Sequence, residues 1–274
     1  MLNKDSFRSA IKELGIQNKC VEIHSSFRSF GCHVDGGAQA VMDAFLAEGC
    51  TILVITCADM YEIFPPQNLR PKRNGSGDYS HFNNRTYDSP KTFSIASNNI
   101  TKEDMGIIPY TLLNMPSRKR GYNPLNSFAA VGNLANELVR EQSETDVFAP
   151  LRKLYELEGY TLMIGVDLKN ATIIHFAEQV AGRIPFVRGA NNLKGEPSIC
   201  NTGGCSNGFN NLSDKLKSIE KNITVGNSYW RCFPTKRMVD ISVRAMLETP
   251  EITHCSNSNC DRCNDAILGG PIWE

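Results

Sequence analysis

Apolar residues in the first fifth of the chain follow two different periods. CVEIH at 20–24 and TILVITC at 51–57 are short, mostly apolar segments, which predict buried strands. Between them, GGAQAVMDAFLAEG at 36–49 spaces its apolar residues as on one face of a helix, with glycines at both ends. Residues 1–15 have the spacing of an amphipathic helix. The chain is therefore predicted to form a strand–helix–strand unit after its first helix.

Helical and strand-like segments continue to alternate after residue 105. Helical spacing recurs at 106–115, 133–142, 149–159, 171–181, 212–222 and 235–248, and short apolar runs recur at 127–132 and 160–166. A stretch rich in Gly, Asn and Ser at 189–211 predicts a loop. Such alternation favours a layered α/β architecture. We find neither a repeat nor an interdomain linker, so residues 1–274 are predicted to form one domain with a Cys-rich tail at about 253–267.

Residues 65–104 differ from the rest, because Pro, Asn, Ser and Gly accumulate there without a clear period. We expect a long surface excursion, and long excursions in compact domains are often functional. Its first part is locally basic. The basic residues are Arg70, Lys72, Arg73, Arg85 and Lys91. Where this segment borders a substrate site, it is expected to disfavour a polycationic substrate.

Composition narrows the class of protein further. With 274 residues, 41% of them hydrophobic, the chain can bury a sizeable core. The 29 basic and 29 acidic residues balance, which gives no electrostatic footprint for nucleic acid or for an anionic membrane. No apolar run approaches the length of a membrane span, and the first residues lack the apolar stretch of a signal peptide. We therefore expect a cytoplasmic protein that binds neither nucleic acid nor membrane.

The segment HSSFRSFGCHVDGG at 24–37 follows the first predicted strand and enters a helix. Hydroxyl groups and glycines in that position can bind phosphate or the amides of a pantetheine chain. The candidate residues are Ser25, Ser26, Ser29, Gly31, Gly36 and Gly37. The alternative is a loop whose serines only cap the helix. His24 and His33 flank the loop and are expected to be ordinary hydrogen-bonding residues.

A second candidate site lies in LMIGVDLKNATIIHFAEQVAG at 162–182. His175 and Glu178 are three residues apart on a predicted helix, so they share one face. A carboxylate beside an imidazole fixes its tautomer, and such an imidazole suits a general base that takes a proton from an amine. Asn170 and Thr172 lie near the start of the same helix. The alternative is an exposed His–Glu pair with no chemical role.

Several segments together resemble the aminoglycoside 3-N-acetyltransferase family of antibiotic-modifying enzymes. They are VEIHSSFRSFGCHVDGGAQAVMDAF, MGIIPY, NPLNSFAAVG, PLRKLYELEGYTLMIGV and NATIIHFAEQVAGR, in the family's order over most of residues 20–185. The resemblance implies a layered α/β/α fold with a mixed central sheet, distinct from the commonest acetyltransferase fold. It also implies direct transfer of an acetyl group from acetyl-CoA, as cosubstrate, to a small amine acceptor.

The resemblance also assigns roles to residues. It implies that coenzyme A lies against the Ser25–Gly37 loop, that His175 and Glu178 belong to the catalytic group with His175 as base, and that Thr172 lines the same site. The acceptor would be an aminoglycoside, an amino sugar or a related small molecule. The alternative is a coenzyme-A- or metabolite-binding protein of the same fold without transferase activity.

Two departures from the family bear on the acceptor. Where the family usually has His-Pro-x-x-Ser, this chain has Asn123-Pro124-Leu125-Asn126-Ser127, and Asn can hydrogen-bond but cannot act as a base. Where the family often has Ile-Pro-Glu, Tyr110 follows Ile108-Pro109. We expect Asn123, Asn126 and Tyr110 to contact the acceptor. With that acidic group lost, an amine less cationic than an aminoglycoside, such as an amino sugar, fits equally well.

The tail THCSNSNCDRCNDAI at 253–267 contains the short-bite pair C-x2-C that tetrahedral zinc sites favour. We expect Cys255, Cys260 and Cys263 to bind a structural zinc ion with Cys205 as a further ligand, and Cys200 is an alternative to it. Free thiols, an oxidised pair or a partner-binding tail are the other possibilities. A structural zinc ion is expected to attach the tail to the 200–205 loop without affecting the chemistry.

Overall fold

The computed structural model describes residues 1–75 and 91–273, whose strands and helices alternate along the chain. The strands are β1 Cys20–Ser25, β2 Thr51–Cys57, β3 Glu62–Ile63, β4 Lys119–Arg120, β5 Asn126–Val131, β6 Tyr160–Ile164, β7 Phe186–Asn191, β8 Pro197–Thr202, β9 Lys221–Val225 and β10 Ser228–Pro234. The helices are α1 Lys4–Leu14, α2 Gly37–Ala47, α3 Lys102–Met105, α4 Ile107–Leu113, α5 Ala135–Val139, α6 Ala149–Glu156, α7 Ile173–Val180, α8 Ser213–Leu216, α9 Thr235–Glu248 and α10 Asp261–Ile267.

The central sheet has seven strands in the order β4-β5-β2-β1-β6-β10-β9. β1 is parallel to both β2 and β6, whereas the pairings of β5, β4, β10 and β9 are antiparallel. Successive side chains of a strand point to opposite faces, so each face of the sheet carries its own core. One core packs α1, α2 and α4 against the sheet, and the other packs α5, α6, α7 and α9. This confirms the predicted layered fold with a mixed sheet.

A second, three-stranded antiparallel sheet has the order β3-β7-β8. Its strands β7 and β8 contradict the loop predicted at 189–211. Gly, Asn and Ser are typical of loops, but here Phe186 pairs with Thr202 and Arg188 with Cys200, and this pairing fixes the backbone. Strand pairing between distant segments overrides weak local propensity.

The helix predicted at 212–222 is also wrong in part. α8 has only four residues, between 3₁₀ turns at Phe209–Leu212 and Lys217–Ile219, and the chain then enters β9. The apolar residues that gave the helical period, Leu212, Leu216 and Ile219, are all buried. The spacing of the apolar residues thus identified correctly which side chains of this segment are buried. The pairing of β9 with β10 ended the helical conformation early.

The described parts of the 65–104 excursion hold two of its basic side chains against the chain itself. Arg70 donates to the Pro65 carbonyl, and Arg73 donates to the carbonyls of Leu268 and Gly270. Residues 76–90, and with them His81 and Arg85, lie outside the described residues. Within residues 1–75 and 91–273, no helix combines the length and the apolar character that crossing a membrane requires.

The parallel arrangement of β1, β2 and β6 brings their carboxyl ends to one edge of the sheet, where α/β proteins commonly bind ligands. Ser25 pairs with Ile164 across β1 and β6 at this edge. Because β5 is antiparallel, its first residue, Asn126, lies at the same edge beside Cys57 of β2. Residues from four strands therefore meet there.

Candidate active site

A cavity of about 290 Å³ opens at this edge of the central sheet. It is lined by the ends of β1 and β2, the start of β5, helices α3 and α4, and the start of α7. Five of the candidate site residues from the sequence line it together: Ser25, Asn126, Asn170, Thr172 and His175. Among the described residues that line it, none is Asp, Glu, Lys or Arg. The polar groups of the cavity are thus uncharged apart from any protonated imidazole.

His175 and Glu178 form a close pair on α7. Nδ1 of His175 lies 2.7 Å from Oε2 of Glu178, and about a tenth of each side chain is exposed. An ionised carboxylate can only accept hydrogen bonds, so Nδ1 carries the proton in the neutral imidazole. The lone pair is then on Nε2, the nitrogen opposite the carboxylate. The pair has the arrangement of a general base with its tautomer fixed.

Arg183 and Thr253 support the carboxylate from behind. Oε1 of Glu178 accepts from Arg183 Nη1 at 2.8 Å and from the Thr253 hydroxyl at 3.2 Å. Arg183 also donates to Thr253 Oγ1 and to the Pro250 carbonyl. A buried carboxylate stays ionised only when it is paired and hydrogen-bonded, and these contacts meet that condition. Neither residue was predicted from the sequence, because neither lies three or four residues from Glu178, the spacing of neighbours on one helix face.

The His175 ring is fixed by packing as well. It lies nearly parallel to the Phe148 ring, with centroids 6.2 Å apart, and at a steep angle to Phe209, at 4.7 Å. The backbone of Gly203 also lies against the ring. A Cβ atom at position 203 would lie 2.9 Å from Cδ2 and 3.1 Å from Nε2 of His175. Only glycine therefore fits at this position with the ring in place.

His24 lies in the cavity wall beside a fully buried carboxylate. Nε2 of His24 is 3.0 Å from Oε1 of Glu22 without a hydrogen bond between them, and it accepts weakly from the Thr172 N–H at 3.4 Å. Glu22 Oε2 accepts from the Thr161 hydroxyl. From the sequence, His24 was expected to be an ordinary hydrogen-bonding residue. It lies beside Thr172 and lines the cavity together with the candidate catalytic residues.

A wider groove of about 930 Å³ meets the cavity at Asn170, which lines both. Ser29 is in its wall, and Ser29 Oγ contacts Ser228 Oγ at 2.7 Å. Two cationic side chains, Lys169 and Arg231, also line it. Lys169 is paired with Asp167, and Arg231 with Glu220. The Ser25–Gly37 loop therefore reaches the cavity with Ser25 and the groove with Ser29.

The other candidates from that loop lie elsewhere. Ser26, Gly31, Gly36 and Gly37 are not among the described residues that line the cavity or the groove. Gly31 ends a 3₁₀ turn with a φ of 65°, and a Cβ there would meet the Asn227 side chain. Gly36 and Gly37 form the start of α2. Their glycine character is thus explained by backbone conformation and close packing.

The candidates for acceptor binding are divided by the structure. Asn126 lines the cavity and donates to Cys57 Sγ at 2.9 Å. Asn123 is fully buried; its amide donates to the Ser143 carbonyl and accepts from the Asn126 N–H. This corrects the expected contact of Asn123 with an acceptor, because its polar atoms are used to fix the backbone before β5. Tyr110 is 37% exposed on α4, beside the lining residue Pro109.

Four cysteines meet behind the Gly203–Gly204 wall. The sulfur atoms of Cys205, Cys255, Cys260 and Cys263 all lie within 4.8 Å of one another, and none of the four is in a disulfide. Burial raises the pKa of Cys205 and Cys263, so metal binding there must displace thiol protons. The alternative fourth ligand, Cys200, is not part of this cluster.

Comparison with known proteins assigns the chain to a family. The model of the aminoglycoside 3-N-acetyltransferase family matches residues 23–247. The chain is 30% identical over 206 residues to the SPbeta prophage-derived aminoglycoside N(3')-acetyltransferase-like protein YokD of Bacillus subtilis, covering 72% of this chain and 70% of YokD. It is 26% identical to aminoglycoside N(3)-acetyltransferase III of Salmonella sp., covering 66% of this chain and 62%, less than two thirds, of that relative.

Solved structures share the fold. Aminoglycoside acetyltransferase AAC(3)-IVa superimposes with a TM-score of 0.74 at 22% identity, covering 98% of this chain and 97% of that one. The YokD structure gives a TM-score of 0.70 at 24% identity, covering 90% of this chain and 100% of YokD. A mutant of AAC(3)-IVa has also been solved in complex with a gentamicin. Because the family model matches residues 23–247, the chain belongs to the aminoglycoside 3-N-acetyltransferase family, a family of acyltransferases.

Proposed function

We propose that this protein transfers an acetyl group from acetyl-CoA to an amino group of a small molecule, with His175 as the general base. The observation that carries the proposal is the His175–Glu178 pair, whose imidazole lines a cavity that joins a cation-bearing groove. Membership of an acyltransferase family supports the same reaction class.

The residues of the chain supply the proton transfer. Nε2 of His175 accepts a proton from the acceptor amine as its nitrogen attacks the acyl carbon. The C–S bond of the thioester then breaks, and the coenzyme A thiolate that leaves takes up the proton from the imidazolium, which returns His175 to its neutral form. The imidazolium that forms is stabilised by Glu178 at 2.7 Å. Arg183 and Thr253 keep that carboxylate oriented toward Nδ1. The contacts of Phe148, Phe209 and Gly203 hold the ring in one orientation, so little reorganisation is needed during the reaction.

The groove suits coenzyme A. Its volume of about 930 Å³ accommodates a long ligand, and Lys169 and Arg231 are its candidate phosphate contacts. Each is paired with a carboxylate of the same wall, Asp167 or Glu220, so a phosphate must compete with that carboxylate. Asn170 lies where the groove meets the cavity, so a pantetheine chain passing it reaches His175. Acetyl-CoA supplies the thioester carbonyl, and the Ser25 hydroxyl in the cavity wall is a candidate donor to its oxygen.

The acceptor is an amine of an aminoglycoside, an amino sugar or a related small molecule. Solved relatives hold a gentamicin, apramycin or sisomicin. Among the described residues, however, the cavity wall has no carboxylate, and a polycation favours a carboxylate-lined cleft. The uncharged wall therefore favours an acceptor with few positive charges.

Turnover of acetyl-CoA tests this proposal directly. We expect thiol release that depends on an amine, with amino sugars among the active acceptors, when the protein is assayed against aminoglycosides, amino sugars and simple amines. A reaction without acceptor corrects for the protein's ten cysteines. No turnover across the panel, with coenzyme A binding still detected by calorimetry, would instead indicate a binding protein of the same fold.

We also propose that the four-cysteine cluster binds a zinc ion. Four thiolates around zinc at about 2.3 Å place the sulfur atoms about 3.8 Å apart, which the mutual distances of up to 4.8 Å permit with small adjustments. His254 uses both ring nitrogens on Cys255 O and Asn264 Oδ1, so the donor set is sulfur only. Thiolate-only tetrahedral sites are typical of structural zinc.

Metal analysis of the purified protein tests the zinc site. We expect about one zinc per chain, in line with a single four-ligand site. Cys260→Ser should lower both the zinc content and Tm, because it removes one ligand. Cys32→Ser is the matched control, since Cys32 is exposed and lies outside the cluster. A folded, zinc-free wild type whose four thiols all react with a thiol reagent would contradict the site.

A further inference from the structure

We infer that metal binding by the four-cysteine cluster controls the position of the general base, so that zinc supports catalysis as well as folding. The inference rests on the proposed zinc site and on the proposed role of His175. It differs from the expectation that a structural zinc ion leaves the chemistry untouched. Two connections between the cluster and the His175–Glu178 pair carry it.

The first connection is the chain that links Cys205 to the cavity wall. Gly203 and Gly204 both line the cavity, and Cys205 is the next residue. Gly203 lies against the His175 ring, where a Cβ would approach Cδ2 to 2.9 Å. From Gly203 to Ser206 the backbone is in no regular helix or strand. A bond from Cys205 to a metal would therefore fix the backbone two residues from Gly203, which lies against the imidazole.

The second connection reaches the carboxylate. Cys255 follows Thr253 by two residues, and the Thr253 hydroxyl donates to Glu178 Oε1 at 3.2 Å. The two cluster-bearing segments also touch each other: a Cβ at Gly208 would lie 2.3 Å from the Thr253 carbonyl oxygen. Glu178, Arg183, Cys205 and Cys263 line one small cleft between them. The cluster thus lies behind both members of the pair.

A metal ion would join these segments by four bonds. Cys205 belongs to the segment that contains Gly203 and Gly208. The other three cysteines, Cys255, Cys260 and Cys263, belong to the tail. Without the metal, the four bonds that join the Gly203–Cys205 backbone to the tail are lost. Displacement of a catalytic group by about 1 Å can cost about 10²-fold in rate. We expect a loss of that size in kcat when the metal is removed, with coenzyme A affinity unchanged, because the groove lies on the other side of Asn170.

The test combines kcat with a readout that does not need activity. The full chain is labelled with ¹⁵N-histidine, and the ring signals of His175 are assigned by comparison with His175→Gln. We compare wild type with Cys205→Ser and with the control Cys32→Ser. Cys205→Ser should lose zinc, shift or broaden the His175 signals and lower kcat about 10²-fold. Cys32→Ser should match wild type in all three.

Two further variants keep the test decisive. Gly203→Ala should retain zinc yet shift the same signals, because its methyl group meets the ring. If Cys205→Ser fails to fold, insertion of one alanine between Gly204 and Cys205 keeps all four thiols while lengthening the link. It should retain zinc and still perturb His175.

Unchanged His175 signals in a folded, zinc-free Cys205→Ser, or in the zinc-bound insertion variant, would overturn the coupling. A zinc-loaded wild type without turnover on any acceptor would instead count against the proposed function, and the ring signals would still decide the coupling. A wild type that binds no zinc would overturn the inference and leave the transferase proposal standing.

Discussion

Replacing His175 with alanine is expected to lower kcat by about 10²- to 10⁴-fold, the usual contribution of a general base. A carboxylate at 2.7 Å fixes the tautomer of His175 and leaves the lone pair on Nε2 for the acceptor. The second imidazole of the cavity, His24, instead has Nε2 accepting from the Thr172 N–H. Calorimetry should show coenzyme A affinity close to wild type, because His175 lines the cavity and not the groove.

His33→Ala is the matched control for this measurement. His33 is exposed on the loop before α2, and its substitution should leave kcat unchanged. Full activity in a correctly folded His175→Ala protein would remove His175 from the mechanism. His24 would then become the next candidate, because it lines the same cavity beside the buried Glu22 carboxylate.

Glu178→Gln is expected to reduce kcat about 10²- to 10⁴-fold, as when the carboxylate of a catalytic triad becomes an amide. The amide oxygen can still accept from Arg183, which turns the NH₂ group toward Nδ1 of His175. Nδ1 must then accept, so the ring proton moves to Nε2 and the lone pair no longer faces the substrate. The measurement is kcat with saturating acetyl-CoA and acceptor.

The same substitution should also destabilise the protein. It removes the charge opposite the Arg183 guanidinium, which is 9% exposed, and breaking a buried ion pair costs about 3–5 kcal/mol. Urea unfolding should therefore show a lower free energy of unfolding. Glu156→Gln is the control, because Glu156 forms an i,i+3 pair with Lys153 on the surface and should change little. Equal effects of the two substitutions would argue against a special role for the Glu178 pair.

The local periods of the sequence were sufficient for most of the central sheet and its helices. β1, β2, β5 and β6 are strands buried on both faces, which accounts for their largely apolar sequences. β7, β8, β9 and β10 were not predicted. They mix apolar residues such as Phe186, Ile223 and Trp230 with polar and small ones, and their extended conformation depends on partner strands that sequence periodicity does not report.

The candidate site was predicted to a similar extent. The i,i+3 spacing of His175 and Glu178 and the C-x2-C pair of the tail are local patterns, and the structure brings their members together. Asn123 was misjudged because a motif comparison gives the residue type at a position but not which way its side chain points. Its amide is used by backbone groups, and Asn126 lines the cavity in its place.

Local patterns and the order of motifs were enough to predict the alternation of helices and strands, the His–Glu pair and the family resemblance. The fold was needed to show that Arg183 and Thr253 hold Glu178, that Gly203 confines His175, and that Cys205, and not Cys200, joins the three cysteines of the tail. Apart from the Arg183–Glu178 pair, which spans five residues, these contacts join segments that are far apart along the chain. Packing between such segments leaves no periodic trace in the sequence, so the contacts that hold the catalytic pair become visible only in the folded protein.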